Sequence, residues 1–164
     1  MKIDRRTALT IGGAGALAAG GFWFGGRAGN AAAPGSFPVH YTDAEWRKRL
    51  PFESYKVLRQ AATERAGSSP LDKEKRSGTF VCAGCGLPLF ASRAKFESGT
   101  GWPSFTAPLR GAVGTRSDDS LFMKRTEVHC RRCGGHLGHV FDDGPKPTGM
   151  RYCMNGAAMR FVPA

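Results

Sequence analysis

The chain has 164 residues, of which 41% are hydrophobic and 23% charged, a composition that suits one globular domain and excludes two domains with separate cores. Lys and Arg number 24 against 13 Asp and Glu, so the formal net charge is +11. Because acids are interleaved with the bases and no nucleic-acid recognition motif accompanies them, we expect no nucleic acid among the partners. The 23 glycines predict many turns, which favours a loop-rich β protein over a helical bundle.

Residues 1–33 resemble a bacterial twin-arginine export signal. Arg5 and Arg6 stand directly before a Gly- and Ala-rich apolar run at 8–24, and Arg27 supplies the basic residue near its end. We therefore predict a periplasmic or other extracytoplasmic location. An uncleaved anchor is the alternative, since about seventeen apolar residues lie at the lower limit for crossing a bilayer. Membrane contact is expected only if the signal stays uncleaved.

The mature part begins with a linker and two short helices. Residues 34–41 are predicted to be the linker, and 42–164 the folded domain. Thr42 is a good N-cap for the first helix, with Glu45 at the capping-box position. A second helix or helical turn is predicted over 53–65 because apolar residues recur there at helical spacing.

From Gly78 onward the sequence changes to short runs of apolar residues between Gly, Pro and Ser clusters. This pattern is typical of short antiparallel strands. The predicted strands are Thr79–Val81, Leu87–Phe90, Leu121–Met123 and Tyr152–Met154.

Four of the five cysteines form two Cys-x-x-Cys pairs, Cys82 with Cys85 and Cys130 with Cys133, separated by 44 residues. A glycine follows each pair, so each is predicted to form a tight turn that aims both thiolates at one point. Four thiolates in a tetrahedron make a closed structural zinc site. Two disulfides are the alternative in an oxidising compartment, but a Cys-x-x-Cys disulfide closes a very small loop and adds little stability. Zinc is therefore favoured.

Cys153 is the cysteine outside these pairs. In an extended segment residues two apart share a face, which places Arg151, Cys153 and Asn155 together. A guanidinium beside a thiol stabilises the reactive thiolate, so Cys153 is predicted to be a nucleophile. The alternative is a buried cysteine that acts only as a small apolar residue.

Two histidines and a tryptophan complete the candidate site. In a flat strand His136 and His139 would face opposite sides, but Gly138 between them permits a bulge that brings both to one site. Trp102 lies in a loop rich in Gly and Pro and is predicted to form a wall of a small apolar pocket. A core position is the alternative for this tryptophan.

Five motifs together resemble the methionine-R-sulfoxide reductases of the B type. The resemblance covers about residues 42–162. Its motifs are Ala62-Thr63-Glu64, Phe80-x-Cys82-x-x-Cys85-Gly86, Ser98-Gly99-x-Gly101-Trp102-Pro103-Ser104-Phe105, Cys130-x-x-Cys133-x-x-His136-Leu137-Gly138-His139-Val140-Phe141 and Arg151-Tyr152-Cys153-x-Asn155.

The resemblance implies a mainly β, tent-like fold of two curved antiparallel sheets, with short helices at the N-terminal side and a structural zinc site of four cysteines. By the same resemblance Cys153 is the nucleophile, and Arg151 and Asn155 lie on its strand. His136 and His139 match the paired active-site histidines, and Trp102 matches the aromatic residue that contacts the methyl group of the substrate.

The implied activity is the reduction of methionine-R-sulfoxide in oxidised proteins or peptides, through a sulfenic acid on Cys153. Many members of the family carry a second, resolving cysteine at the position of Thr100, and no other cysteine here is spare. We therefore expect an external thiol reductant, such as a thioredoxin-like protein. Two alternatives are a zinc-ribbon interaction module without turnover and a thiol peroxidase that uses Cys153.

Overall fold

A computed structural model describes residues 37–120 and 124–164. The predicted export signal at 1–33 and the predicted strand Leu121–Met123 lie outside the described residues. Within the described ranges, no helix has the length and apolar character needed to cross a membrane.

Two helices open the domain, α1 at Asp43–Arg49 and α2 at Phe52–Gln60. Thr42 caps α1 as predicted: its hydroxyl accepts from the Glu45 backbone N–H, and the Glu45 carboxylate accepts from the Thr42 backbone N–H at 2.8 Å. Helix α2 ends earlier than predicted, at a left-handed Ala61. The chain leaves the helix there because Glu64 forms hydrogen bonds with the Asn155 side chain and with the backbone of Gly156 and Ala157.

The described residues contain nine strands in two antiparallel sheets. They are β1 Gly78–Cys82, β2 Pro88–Ala91, β3 Lys95–Phe96, β4 Ser104–Phe105, β5 Val113–Asp118, β6 Arg125–Cys130, β7 His136–Phe141, β8 Arg151–Met154 and β9 Met159–Pro163. The first sheet has the order β2-β1-β9, and the second has the order β3-β4-β8-β7-β6-β5. The mainly β prediction is confirmed, as are the strands predicted around 79–81, 87–90 and 152–154.

Aromatic side chains join the two sheets. Phe80 and Phe90 of the first sheet pack on Phe105 of the second, with ring centroids 4.9 and 4.3 Å apart, and all three are fully buried. Burying one such side chain contributes about 2–3 kcal/mol. This cluster therefore fixes β4, and with it the neighbouring strand β8, against the rest of the core.

Part of the segment predicted as a linker packs on the domain. The Val39 backbone N–H donates to the Arg132 carbonyl at 2.9 Å. The ring of Phe37 meets the ring of His129 edge to face, with centroids 5.6 Å apart. The chain therefore contacts the second cysteine turn before helix α1 begins.

One row of side chains crosses five strands of the second sheet. Ser104 is opposite Cys153, Cys153 is opposite His139, His139 is opposite Glu127, and Glu127 is opposite Arg116. Directly opposed residues in antiparallel strands point to the same face. The row therefore places a hydroxyl, a thiol, an imidazole, a carboxylate and a guanidinium along one surface.

Candidate active site and metal centre

The two cysteine pairs meet at one point, as predicted. The Sγ atoms of Cys82 and Cys133 are 3.7 Å apart, those of Cys85 and Cys130 are 3.5 Å apart, and all four lie within 4.8 Å of one another. Tetrahedral zinc with Zn–S bonds of about 2.3 Å requires S···S distances of about 3.8 Å, whereas a disulfide requires about 2.05 Å. All four are free thiols, and their geometry fits a metal ion.

Cys153 lines a separate small cavity of about 150 Å³. Trp102, Phe141 and Met154 form apolar parts of its wall, and His139 supplies a polar group. The four paired cysteines are not among the residues that line this cavity. The structure thus brings Cys153, His139 and Trp102 together and keeps the metal-binding thiols apart from them.

The surroundings of Cys153 act on its thiol in opposite directions. Burial raises the pKa of Cys153, and contacts with Thr100 and Arg151 offset only part of that increase. The guanidinium of Arg151 is shared, since it donates two hydrogen bonds of 2.8 Å to Asp143 and lies over the Phe141 ring. The expected stabilisation of the thiolate by Arg151 is therefore present but does not outweigh burial in the free protein.

A chain of hydroxyl groups ends at Cys153. Thr100 Oγ1 lies 4.0 Å from the sulfur, and Ser98 Oγ is 2.8 Å from Thr100 Oγ1 and 2.7 Å from Ser104 Oγ. The Ser104 hydroxyl also lies 3.1 Å from the Trp102 carbonyl. The hydroxyl of Thr100 is therefore fixed against the thiol by the loop that carries Trp102.

A bulge in β7 brings the two histidines to one side, as the sequence predicts. The pairing of β6 with β7 shifts between Val128 and His129, and the rings of His136 and His139 lie 5.3 Å apart between centroids. Gly138 is required here because a Cβ atom at this position would lie 2.1 Å from the Cys153 carbonyl oxygen. The same glycine thus permits both the bulge and the close approach of β8.

Each histidine is oriented by a carboxylate. His136 Nδ1 donates to Glu127 at 2.8 Å, and His139 Nε2 donates to Asp118 at 2.6 Å. His136 Nε2 is buried and has no hydrogen-bond partner among the residues that the structure describes. Because a carboxylate can only accept, the nitrogen that bonds it carries the proton, and the tautomer of each neutral ring is fixed.

The hydrogen bonds of Glu127 favour the ionised form of its carboxyl group. Burial raises the pKa of Glu127, but hydrogen bonds from His136 and Arg116 outweigh it and lower the pKa to about 2. Glu127 is therefore a fixed negative charge at neutral pH, and it orients the His136 ring through the hydrogen bond from Nδ1.

In the pair of Asp118 and His139, the pKa values of both groups are lowered. Hydrogen bonds from Ser120 and His139 hold the pKa of Asp118 well below its usual range. Burial lowers the pKa of His139, and the bond to Asp118 opposes this only in part. His139 is therefore neutral at pH 7 in the free protein, with its Nε2 proton on the side of Asp118.

Trp102 and Asn155 both form hydrogen bonds with Glu64. The Trp102 indole N–H donates to the Glu64 carbonyl at 3.1 Å. Asn155 is buried, its Oδ1 accepts from the Glu64 N–H at 2.9 Å, and its Nδ2 donates to the Leu137 carbonyl at 3.1 Å. The Asn155 amide therefore bonds the backbone on both sides, and Asn155 also lines the cavity of Cys153.

Sequence reasoning assigned no role to Glu64, Asp118 or Glu127. Glu64 belongs to the motif Ala62-Thr63-Glu64, but its partners Asn155 and Gly156 lie about ninety residues away along the chain. Asp118 and Glu127 are found only when the register of β5, β6 and β7 is known. The available sequence signal was a carboxylate on each of two strands that would pair beside the histidine strand.

A half-buried cysteine directly opposite a histidine that a carboxylate orients defines a thiol-dependent oxidoreductase, since the thiol can be oxidised and the imidazole can transfer the proton that the reaction needs. Comparison with known proteins gives the family. The SelR domain model matches residues 50–163, which is most of the described domain. The chain belongs to the methionine sulfoxide reductase B family.

Several similar proteins carry the name peptide methionine sulfoxide reductase MsrB. One from Leptospira interrogans is 51% identical over 127 residues, which is 77% of this chain and 97% of that protein. One from Bradyrhizobium diazoefficiens is 54% identical over 74% of this chain and 88% of its own length. One from Thiobacillus denitrificans is 53% identical over 74% of this chain and 93% of its own length.

Proposed function

We propose that this protein reduces methionine-R-sulfoxide in oxidised proteins or peptides, with Cys153 as the nucleophile. The observation that carries the proposal is the shared cavity of Cys153, His139 and Trp102. A cavity of about 150 Å³ is smaller than the pockets of drug-sized ligands and suits the end of one side chain.

Cys153 Sγ attacks the sulfoxide sulfur, and the thiol proton passes through His139, which is neutral in the free protein, to the sulfoxide oxygen. This step forms an S–S bond, and the protonated oxygen then moves to Cys153 as the S–S bond and the S–O bond of the substrate break. Cys153 ends as a sulfenic acid, oxidised by two electrons, and the sulfoxide is reduced to the thioether of methionine. His139 is the acid nearest in register to Cys153. His136 lies beside His139 and is oriented by Glu127.

The apolar walls favour a methyl sulfoxide as substrate. Trp102 and Phe141 offer ring surfaces for the methyl group, while His139 lies on the polar side for the oxygen. A sulfoxide placed this way presents only one of its two epimers to the sulfur. The same walls support a sulfoxide substrate over the hydroperoxide of a thiol peroxidase.

An external thiol completes the cycle. It attacks the sulfenic sulfur of Cys153, forms a mixed disulfide and releases water, and a second thiol then restores Cys153 as a disulfide of the reductant leaves. Thr100 occupies the position beside Cys153 and cannot form this bond. A thioredoxin-like protein of the same compartment is the proposed reductant.

The four paired cysteines are proposed to hold structural Zn²⁺. The S···S distances of 3.5 and 3.7 Å support a tetrahedral ion, and a closed four-thiolate site leaves no coordination position for a substrate. A bound ion supplies a cross-link between the turn after β1 and the turn after β6. The thiols themselves take no part in the proposed reaction.

We further propose export through a twin-arginine signal at residues 1–33. Arg5, Arg6 and the apolar run that follows them support this proposal. Cell fractionation of the full chain should place it outside the cytoplasm, and replacing both arginines by lysine should retain it inside. Equal distribution of the two forms would contradict export by this route.

The test of the function uses purified protein, dithiothreitol and the separate R and S epimers of a methionine sulfoxide peptide. We expect methionine to form from the R epimer alone, and Cys153→Ser to form none while it keeps its metal content and its circular dichroism spectrum. Turnover by Cys153→Ser would exclude Cys153 as the nucleophile. Turnover of a hydroperoxide, but not of either sulfoxide, would favour the peroxidase.

A further inference from the structure

We infer that Glu64 is a positioning residue that fixes Trp102 and Asn155 on either side of Cys153 and thereby sets the affinity and epimer selectivity of the substrate pocket. The inference rests on the proposed function. Glu64 lies outside the reacting groups, so it acts through its hydrogen bonds to the two pocket residues and to the turn that follows them.

The carboxylate of Glu64 is buried and holds the turn after strand β8. Oε1 accepts from the Gly156 N–H at 2.6 Å, and Oε2 accepts from the Ala157 N–H at 2.8 Å. Only 9% of the residue is exposed, and no Lys or Arg in the described ranges forms an ion pair with it. Backbone N–H groups therefore satisfy this charge, through charge-assisted hydrogen bonds.

The backbone of the same residue holds the pocket walls. Its N–H donates to Asn155 Oδ1 at 2.9 Å, and its carbonyl accepts from Trp102 Nε1 at 3.1 Å. Four hydrogen bonds of one residue thus link the loop of Trp102 to the end of the Cys153 strand. The packing is close, because a Cβ atom at Gly156 would lie 1.9 Å from the Ser69 hydroxyl and 3.3 Å from Glu64 Oε1.

Two acceptor oxygens are essential to this arrangement. Glutamine has the same shape but only one acceptor, so its amide nitrogen would face a backbone N–H of Gly156 or Ala157. One buried N–H would then lose its partner, and the turn would shift to find another. The movement would pass to Asn155, which directly precedes Gly156 in the chain, and through the Glu64 backbone to Trp102.

The reacting groups are held independently of Glu64. Cys153 and His139 are aligned by the pairing of β7 with β8, and the histidines are oriented by Asp118 and Glu127. Loss of the Glu64 carboxylate should therefore weaken substrate placement and leave the nucleophile and the acid in position. A residue with only a structural role would lower stability without changing the balance between KM and kcat.

The experiment compares Glu64→Gln with the wild-type protein and with Glu53→Gln. Glu53 borders the same outer cleft as Glu64, but its side chain is 62% exposed and pairs with Lys56 at 3.8 Å. For Glu64→Gln we expect KM for the R sulfoxide to rise about tenfold with kcat changed less than about threefold, the size of effect that one unpaired buried group produces. Its selectivity for the R over the S epimer should fall. Glu53→Gln should match the wild-type protein in both.

An unchanged KM and unchanged epimer ratio in folded Glu64→Gln would overturn the inference. If that variant does not fold, Glu64→Asp takes its place, because it keeps both acceptor oxygens on a side chain one carbon shorter. For Glu64→Asp we expect KM to rise by a smaller factor. Failure of the proposed function gives a different result, since the wild-type protein would then reduce neither epimer.

Discussion

Cys153 and His139 lie directly opposite each other on the adjacent strands β8 and β7. This pairing places the thiol and the imidazole on one face of the sheet, where the pleat brings opposed Cβ atoms within about 5.5 Å. Because the register of two central strands fixes the pair, the nucleophile and the proposed acid do not depend on loop conformation for their alignment. Asp118 on β5 then fixes the orientation of the imidazole.

We expect Asp118→Asn to lower kcat at least about 10-fold, which is part of the roughly 10²–10⁴-fold that a positioned acid contributes. An amide does not stabilise the imidazolium and permits the other tautomer of His139, so proton delivery to the sulfoxide oxygen would be less efficient. Steady-state rates against pH provide the measurement. Asp119→Asn is the matched control, since Asp119 is exposed and its carboxylate accepts a hydrogen bond from the Ser117 hydroxyl rather than from a histidine. Equal rates for the two variants would remove Asp118 from the mechanism.

The next prediction concerns the zinc site in the two cysteine turns rather than the active site. Cys82→Ser or Cys133→Ser should lower the zinc content and the melting temperature together, because a structural site contributes its binding free energy to folding. Metal analysis and thermal melts of the same samples provide the check. Wild-type protein that contains two disulfides by mass and no zinc would contradict this prediction.

The sequence predicted the reacting groups of the site better than the residues that orient them. The cysteine pairs, Cys153 and the histidines have side chains whose chemistry is specific, and the spacing around Gly138 was enough to predict the bulge. Asp118 and Glu127 were not predicted, because a surface carboxylate and a carboxylate that orients a histidine look alike until strand register is known. The end of α2 was also missed, since it depends on contacts of Glu64 with distant residues.

Glu127 should make the stability of the fold depend on pH in the acid range. Its pKa is lowered to about 2 in the folded protein, against about 4.3 in an unfolded chain. Its ionised form therefore stabilises the fold above pH 4.3, and this contribution is lost as the pH falls towards 2.

Urea unfolding at pH 7 and at pH 2.5 measures the contribution of Glu127. Wild-type protein should lose on the order of 1–2 kcal/mol from this group over that range, the exposed Arg116 partner being screened by solvent. Glu127→Gln should not show this loss, whereas Glu97→Gln, at an exposed carboxylate, should behave as wild type. Parallel pH dependence of wild type and Glu127→Gln would contradict the assigned pair.

The thiol of Cys153 should react slowly at neutral pH in the absence of substrate. Burial raises its pKa above the ordinary value of about 8.5, so its alkylation by iodoacetamide should accelerate with rising pH beyond that value. Thr100→Val removes the hydroxyl that favours the thiolate and should move this midpoint to higher pH, while Thr100→Ser should keep it. Peptide mass spectrometry distinguishes Cys153 from the paired cysteines. Thr106→Val is the control, since that hydroxyl donates to the Ala94 carbonyl.

Thr100 also determines the fate of the oxidised enzyme. Its Oγ1 is 4.0 Å from Cys153 Sγ, so a thiol at this position would need only a small movement to form a disulfide of about 2.05 Å. One equivalent of substrate without reductant should leave the wild-type protein with a dimedone-reactive sulfenic acid at Cys153, because the four paired thiols are held apart from its cavity. Thr100→Cys should instead give a disulfide between the new thiol and Cys153 and lose the dimedone adduct, with Thr100→Ser behaving as wild type. An intramolecular disulfide between Cys153 and a paired cysteine in the wild-type protein would contradict the need for an external thiol.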